Sequence, residues 1–185
     1  MAVLVLNSIN KDVDYYKRIK DVVTEELELS GSGKLVNVEE SNIGNCVGCF
    51  GCWIKTPGEC VLQDEGNIIA KEVIEAKKVI LITEISFGSY SSITKKVIDR
   101  LMPNVTPLFK LINKETQYKK RYENYPEMVV IAVSDEDEPE KELFKNIVSK
   151  KNAVNFNSKE TKVKFISPNS IYLENELFKF LKEEI

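Results

Sequence analysis

Three stretches of the chain, residues 2–7, 79–83 and 128–133, are apolar on nearly every consecutive position. Runs of this kind suit parallel strands that are covered by helices on both faces. Two others, residues 34–40 and 162–167, alternate polar and apolar residues, which predicts half-exposed edge strands. Between the runs the period becomes helical. Val13, Tyr16, Ile19, Val22, Val23 and Leu27 trace one face, and Ser30-Gly31-Ser32-Gly33 ends it. Ile69, Val73 and Ala76 predict a second helix with Asp64 as N-cap. Ile93, Val97, Ile98 and Leu101 predict a third, closed by Pro103. Leu143, Phe144, Ile147 and Val148 predict a fourth, capped by Asp135 or Asp137 with Pro139 near its first turn. Leu173, Leu177, Phe180 and Leu181 predict a fifth. The simplest role of every stripe is core packing.

Strands alternating with helices make this an α/β chain. The expected architecture is one domain over residues 1–185: a doubly wound, five-stranded parallel sheet with helices on both faces. Three buried and two edge strands fit the order 2-1-3-4-5. Residues 103–126 are expected to be irregular, a surface lid carrying Phe109, Tyr118, Tyr122 and Tyr125 beside Lys119-Lys120-Arg121. Phe109, Leu111 and Ile112 are too apolar to lie idle in solvent, which predicts a homo-oligomer, most simply a two-fold dimer. Ligands of open parallel sheets bind at the carboxyl ends of the strands. That gathers residues 7–12, 84–90 and 134–137 around one crevice.

Composition narrows the function. With 43% hydrophobic residues and a net charge of −3, the chain supports a packed core and does not favour nucleic acid or an anionic membrane as partner. No apolar run approaches the ~18 residues of a membrane span. The first six residues lack the basic start and small-residue cleavage site of a signal peptide, so a cytoplasmic protein is expected. There is no histidine. Ser-His-Asp and Cys-His catalysis and zincin-type helices are thereby excluded, and no side chain stands out as a catalytic acid or base. The hard chemistry is expected to belong to a cofactor.

All four cysteines fall in one stretch, Cys46-Val-Gly-Cys49-Phe-Gly-Cys52 and then Cys60 after a Pro57-Gly58 turn. Thiolates repel unless a cation sits between them, so the stretch is a metal or cluster cage or a set of redox thiols. The tight triplet favours an iron–sulfur cluster over zinc, whose structural sites space two CxxC knuckles apart. Gly48, Gly51 and Gly58 make the segment a loop, not a core helix. Trp53 is bulky enough to shield a cluster.

Residues 83–100, Thr-Glu-Ile-Ser-Phe-Gly-Ser-Tyr-Ser-Ser-Ile-Thr-Lys-Lys-Val-Ile-Asp-Arg, resemble a segment of the flavodoxin-like NAD(P)H-dependent FMN reductases and iron–sulfur flavoproteins. Their pattern is Thr/Ser-Pro-x-Tyr-x-Gly, then Lys, then Asp-Arg; Thr83, Gly88, Lys95, Asp99 and Arg100 match it. The cysteine loop resembles that of the iron–sulfur flavoproteins, including Gly58-Glu-Cys60 ahead of Asp64-Glu65. The likeness runs over about residues 1–102. It implies a flavodoxin fold, bound FMN, electron transfer, and a dimer or tetramer. Ser8 and Asn10 would then hold the phosphate. Thr83, Glu84, Ile85, Ser86, Phe87 and Gly88 would line the isoalloxazine. Cys46, Cys49, Cys52 and Cys60 would be ligands of a [4Fe-4S] cluster. The donor would be NAD(P)H or a redox protein.

The chain departs from the family at the phosphate loop and at the ring. Asn7-Ser8-Ile9-Asn10 stands where the family has Gly-Ser-Pro-Arg, and Asp12 and Asp14 follow without a glycine. Glu84 replaces the family's Pro, and Ser86 its Tyr. FMN is therefore expected to bind more weakly than in relatives with an intact loop. The other reading is a binding module of the same fold that has lost its flavin and works through the cysteine loop or residues 103–126. Tyr15 and Tyr16 are expected to pack on the sheet, and Asp99-Arg100 to form a helix-end ion pair or reach a neighbouring subunit.

Overall fold

The computed structural model describes residues 1–112, 114–135, 137–158 and 161–185, the side chains of residues 151 and 153–156 excepted. Along the chain the elements are β1 (Val3–Asn7), α1 (Tyr15–Ser30), β2 (Lys34–Asn37), α2 (Gly51–Ile54), α3 (Glu65–Glu75), β3 (Lys78–Ser86), β4 (Ser89–Tyr90), α4 (Ser92–Arg100), β5 (Val105–Ile112), β6 (Glu115–Lys120), β7 (Glu127–Val133), α5 (Lys141–Phe156), β8 (Thr161–Ile166) and α6 (Leu173–Glu184). Single 3-10 turns lie at Val38–Glu40 and Met102–Asn104.

The main sheet runs β2-β1-β3-β7-β8 with these neighbours parallel, the predicted order, and the short β4 adds a sixth strand antiparallel to β3. Alternation along each strand divides the core in two. Leu4, Leu6, Val79, Leu81, Val130 and Ala132 pack with α3, α4 and α5. Val3, Val5, Ile80, Ile82, Val129 and Ile131 pack with α1 and α6. Both faces of the central strands are covered, which is why their sequences are apolar throughout. Asn7 lies opposite Ile82, and Glu84 opposite Val133, so the strands end nearly level at the carboxyl edge.

Local signals set most helix ends. Gly31, at φ 62°, closes α1 by donating its N–H to Leu27 O at 3.1 Å. The Asp64 side chain accepts from Gly66 N at 2.9 Å and starts α3. The start of α5 differs from expectation. Its N-cap is Glu140, with no side-chain cap bond. The chain first makes tight turns, Glu138 N to Asp135 O and Lys141 N to Glu138 O, and these delay the helix. Asp135 instead accepts from Asn169 Nδ2 at 2.6 Å. Glu136, within the same acidic run, lies outside the described residues. The second strand is also shorter than its alternation suggested, because the chain coils at Val38–Glu40.

The segment expected to be irregular, residues 103–126, is a β-hairpin. β5 and β6 pair antiparallel with a register shift between Val105 and Phe109. Pro107, within β5, suits an edge strand with a bulge, and among the described residues this pair has no third strand to demand its missing N–H. Asn113, in the connecting turn, lies outside the described residues. An aromatic series fixes the hairpin to the cysteine loop. Trp53 stacks on Phe50 (centroids 5.5 Å) and meets Tyr118 (5.7 Å), which meets Phe109 (4.9 Å). The Trp53 indole N–H donates to Met102 O and Val105 O, both at 3.1 Å. Trp53 therefore ties the hairpin to the cysteine loop, its ring packed on Tyr118.

Candidate functional site

The strand order reverses between β1 and β3, and that switch point positions the site. Ser8 follows β1 directly, and its amide donates to Ile82 O at 2.9 Å. Ser134 follows β7 and donates to Ile166 O at 3.0 Å. Strand alternation places Ser8, Thr83 and Ser134 on the face that carries α4 and α5. The Ser8 and Ser134 hydroxyls are buried and have no hydrogen-bond partner. A buried polar atom left alone costs about 1–3 kcal/mol, so each marks a place where a partner is missing. Thr83 is different. Its hydroxyl donates to Glu84 O at 2.9 Å and accepts from Thr94 at 2.7 Å, which ties β3 to α4.

Glu84 is held by the start of α1. Tyr15, the first residue of α1, donates its hydroxyl to Glu84 Oε1 at 2.6 Å. Burial first, and then the Glu84 carboxylate, push the Tyr15 phenol well above its ordinary range, with Asp14 and Asp135 adding to the effect. Tyr16 behaves as expected, buried against the sheet with its hydroxyl on Glu40 at 2.9 Å.

Beyond Glu84 the chain forms a two-residue hairpin. Ser86 pairs with Ser89, and Phe87 (φ 50°) and Gly88 (φ 66°) make a turn with both φ values positive. Gly88 is required by contact as well as conformation, since a Cβ there would stand 2.5 Å from Leu143 Cδ2. Its N–H donates to Glu140 Oε2 at 2.6 Å, docking the hairpin on α5. Phe87 is left 92% exposed at the tip. Ile85 faces inward and packs against the core.

The loop after β1 is closed upon itself. Ile9 N donates to Asn7 Oδ1 (3.3 Å), Asp12 N to Asn10 Oδ1 (2.9 Å), and Val13 N to Asn10 O (3.3 Å). Asn10, expected to hold a phosphate, uses its side-chain oxygen within the loop. Asp14 stands at the N-cap of α1 and makes no cap bond.

The cysteine loop is clamped at its base by Arg100. This residue is among the largest fully buried side chains. Its guanidinium makes a two-pronged pair with Asp64 (2.7 and 2.7 Å) and also donates to Gly44 O (2.9 Å) and Leu62 O (3.4 Å). Gly66 has to be glycine, because a Cβ would meet Arg100 Cζ at 2.8 Å. The expected Asp99-Arg100 pair is not formed. On α4 consecutive residues point apart, so Asp99 joins Lys95 one turn back while Arg100 turns inward. Asn67 fixes the loop's far end, accepting from Cys60 N (3.0 Å) and donating to Cys60 O (3.1 Å). The same Asn67 lines a cavity of about 510 Å³ along α3, bounded by Gly58, Ile74 and Tyr122.

Cys46 and Cys49 are exposed; Cys52 and Cys60 are half-buried, and all four are free thiols. Cys52 sits in the one-turn helix α2, so the segment is not loop throughout. Burial, followed by the neighbouring Cys60, Cys46 and Cys49, raises the Cys52 thiol above its ordinary value. Among the described residues, no three cysteine or carboxylate groups converge on one point as a metal requires. The set has the all-sulfur chemistry of a cluster, but the loop in this conformation is not drawn in around one.

No model of a protein family matches the chain. An iron–sulfur flavoprotein of Archaeoglobus fulgidus is 33% identical over 87 residues, which is 46% of this chain and 39% of that protein. The chain thus matches about two fifths of the length of that curated relative. Among solved structures, an NAD(P)H:quinone oxidoreductase from Methanothermobacter marburgensis superposes with a TM-score of 0.64 at 13% identity, covering 99% of this chain and 96% of the other. An FMN-dependent NADH-azoreductase from Bacillus anthracis, solved with FMN, gives 0.58 at 13%, covering 100% and 95%. The fold is flavodoxin-like. The family resemblance carried by residues 83–100 and the cysteine loop is consistent with these similarities.

The azoreductase neighbour carries FMN, and the residues here fit such a group in part. The orphaned hydroxyls of Ser8 and Ser134 fit the polar edges of a bound molecule, and Phe87 offers an exposed ring. The phosphate end fits less well, because the amides of Ile9, Asp12 and Val13 are spent within the β1–α1 loop and Asp12 and Asp14 are exposed on it. Sequence reasoning named the loop that begins at Ser134 but gave Ser134 no role of its own. The signal was available: Ser134 is the first polar residue after an apolar run at a strand's carboxyl end. Nothing local in the sequence pointed to Tyr15 as the partner of Glu84.

Proposed function

We propose that the protein is a flavin-dependent oxidoreductase or electron carrier that takes reducing equivalents from NAD(P)H or a reduced partner protein. The observation that carries this reading is the pair of buried, unpartnered hydroxyls, Ser8 and Ser134, flanking β3 at the switch point. The similar solved structures support it, one named as an NAD(P)H:quinone oxidoreductase and one as FMN-dependent. A flavin would supply the hydride-accepting chemistry that amino-acid side chains do not offer. The chain's own part is to bind and orient. Ser8 and Ser134 satisfy polar edges, Glu84 fixed by Tyr15 borders the ring position, and Phe87 covers it. Anaerobic addition of NADPH to flavin-loaded protein tests the reading through loss of the blue flavin absorption.

The cysteine loop is proposed as a second redox element, a [4Fe-4S] cluster bound by Cys46, Cys49, Cys52 and Cys60. The matched iron–sulfur flavoprotein and the all-thiolate donor set support it. Gly48, between Cys46 and Cys49, takes the left-handed φ of 65° that a tight turn of the CxxC segment needs. The alternative, a binding module that has lost its flavin, draws its support from the self-closed β1–α1 loop.

The hairpin is proposed as the contact of a two-fold dimer. Leu108, Phe109 and Leu111 are 58%, 56% and 71% exposed, beside Phe50 and Ile54 of the cysteine loop. Light scattering after size exclusion is expected to give twice the chain mass at micromolar concentration. A monomer would remove the dimer. Among the described residues, no helix is long and apolar enough to cross a membrane.

A further inference from the structure

A phosphate dianion at the start of a helix is held by free backbone N–H groups, helped by basic side chains and by glycines that let it approach. The β1–α1 loop offers little of this. The amides of Ile9, Asp12 and Val13 donate to Asn7 Oδ1, Asn10 Oδ1 and Asn10 O. No glycine occurs between Asn7 and Ser30. The charge around the opening is also wrong for an anion. Asp12 and Asp14 are exposed on the loop, Asp14 and Asp135 lie close to Tyr15, and Tyr15 holds the Glu84 carboxylate. Lys11 is the one basic residue of the loop. Deeper in, the unsatisfied groups are neutral: the Ser8 and Ser134 hydroxyls, both more than nine-tenths buried. A hydroxyl pairs with a carbonyl, a ring N–H or another hydroxyl without needing charge.

We propose that this crevice selects a flavin without a cradled phosphate, so that uncharged riboflavin binds at least as tightly as FMN. The inference rests on the flavin reading above and specifies which flavin. It inverts the usual helix-terminus preference: three of the loop's amides, those of Ile9, Asp12 and Val13, are satisfied internally, and Asp12 and Asp14 repel a dianion. Acidic groups near a helix N-terminus compete with the bound anion for the same dipole. The repulsion acts through solvent at an exposed loop, so salt should weaken it.

The test titrates riboflavin and FMN into the full chain by fluorescence quenching, at low and high salt, and repeats both with the Asp12→Asn, Asp14→Asn double variant. Both positions are exposed, so the variant is expected to fold. At low salt FMN is expected to bind on the order of ten-fold more weakly than riboflavin, about two- to five-fold per facing charge. High salt should narrow the gap. The double variant should tighten FMN and leave riboflavin unchanged. FMN binding more tightly than riboflavin, or an FMN affinity that ignores both salt and the double variant, would overturn the proposal. Binding of neither flavin by either protein is a separate outcome, which overturns the flavin reading itself and the proposal with it.

Discussion

Replacing Arg100 by Ala is expected to lower the unfolding free energy by about 3–5 kcal/mol, because it leaves the Asp64 carboxylate without the partner it was buried against. A domain of this kind has about 5–15 kcal/mol to lose, so the change is large. Arg100 is 1% exposed and Asp64 12% on their side chains. The same guanidinium joins Gly44 O and Leu62 O, on either side of the cysteines, so the loop should also become sensitive to protease. Lys at this position keeps the charge but not the planar fork, and should recover only part of the loss. Urea unfolding of the three proteins measures it. A loss under 1 kcal/mol in the Ala variant would show that the clamp is not structural.

The pair also fixes an acid limb of stability. Arg100 first, with the Gly44 and Gly66 amides helping, holds the Asp64 carboxyl down to about 2 from 3.8. A depressed carboxyl binds fewer protons folded than unfolded, so its contribution is complete above the unfolded value. It is lost as pH falls from about 4 through about 2, a span worth about 2 kcal/mol. The Arg100→Ala variant should lose that slope.

The other large effect is expected at the cysteines. With a cluster in the loop, each of Cys46, Cys49, Cys52 and Cys60 is a ligand, and replacing any one by Ser should remove most of the iron and acid-labile sulfide retained after anaerobic reconstitution. Cys60→Ser should be as damaging as the others despite its distance along the chain, because Asn67 returns its backbone to the loop. A thiol relay would instead make only one pair matter. Reconstituted protein with no sulfide and every thiol titratable would remove the cluster and leave a dithiol or the flavin alone.

The sheet was legible in the sequence because burial on both faces leaves a continuous apolar run, as in Val129-Val130-Ile131-Ala132. The Asp64 cap was legible because it acts two residues ahead on Gly66. The hairpin was not, since Pro107 and the charged residues of β6 mask the alternation of a pair exposed to solvent on its edges. The site was read in outline only. The placement of its loops at the carboxyl edge followed from topology, but its particular bonds are long-range. Tyr15 and Glu84 are 69 residues apart, and Asp64 and Arg100 are 36 apart. A periodicity carries no record of such pairs. The same is true of Thr83, whose motif position suggested a ligand contact while its hydroxyl is taken up by Thr94.

On the reading proposed above, the carboxyl edge of the sheet holds a reducible flavin. An anaerobic absorption spectrum tests it most directly, taken on protein saturated with riboflavin or FMN, desalted, and then mixed with NADPH. The account predicts flavin bands that survive desalting, and loss of the blue band when NADPH is added. Protein that emerges from desalting colourless with both flavins would contradict it.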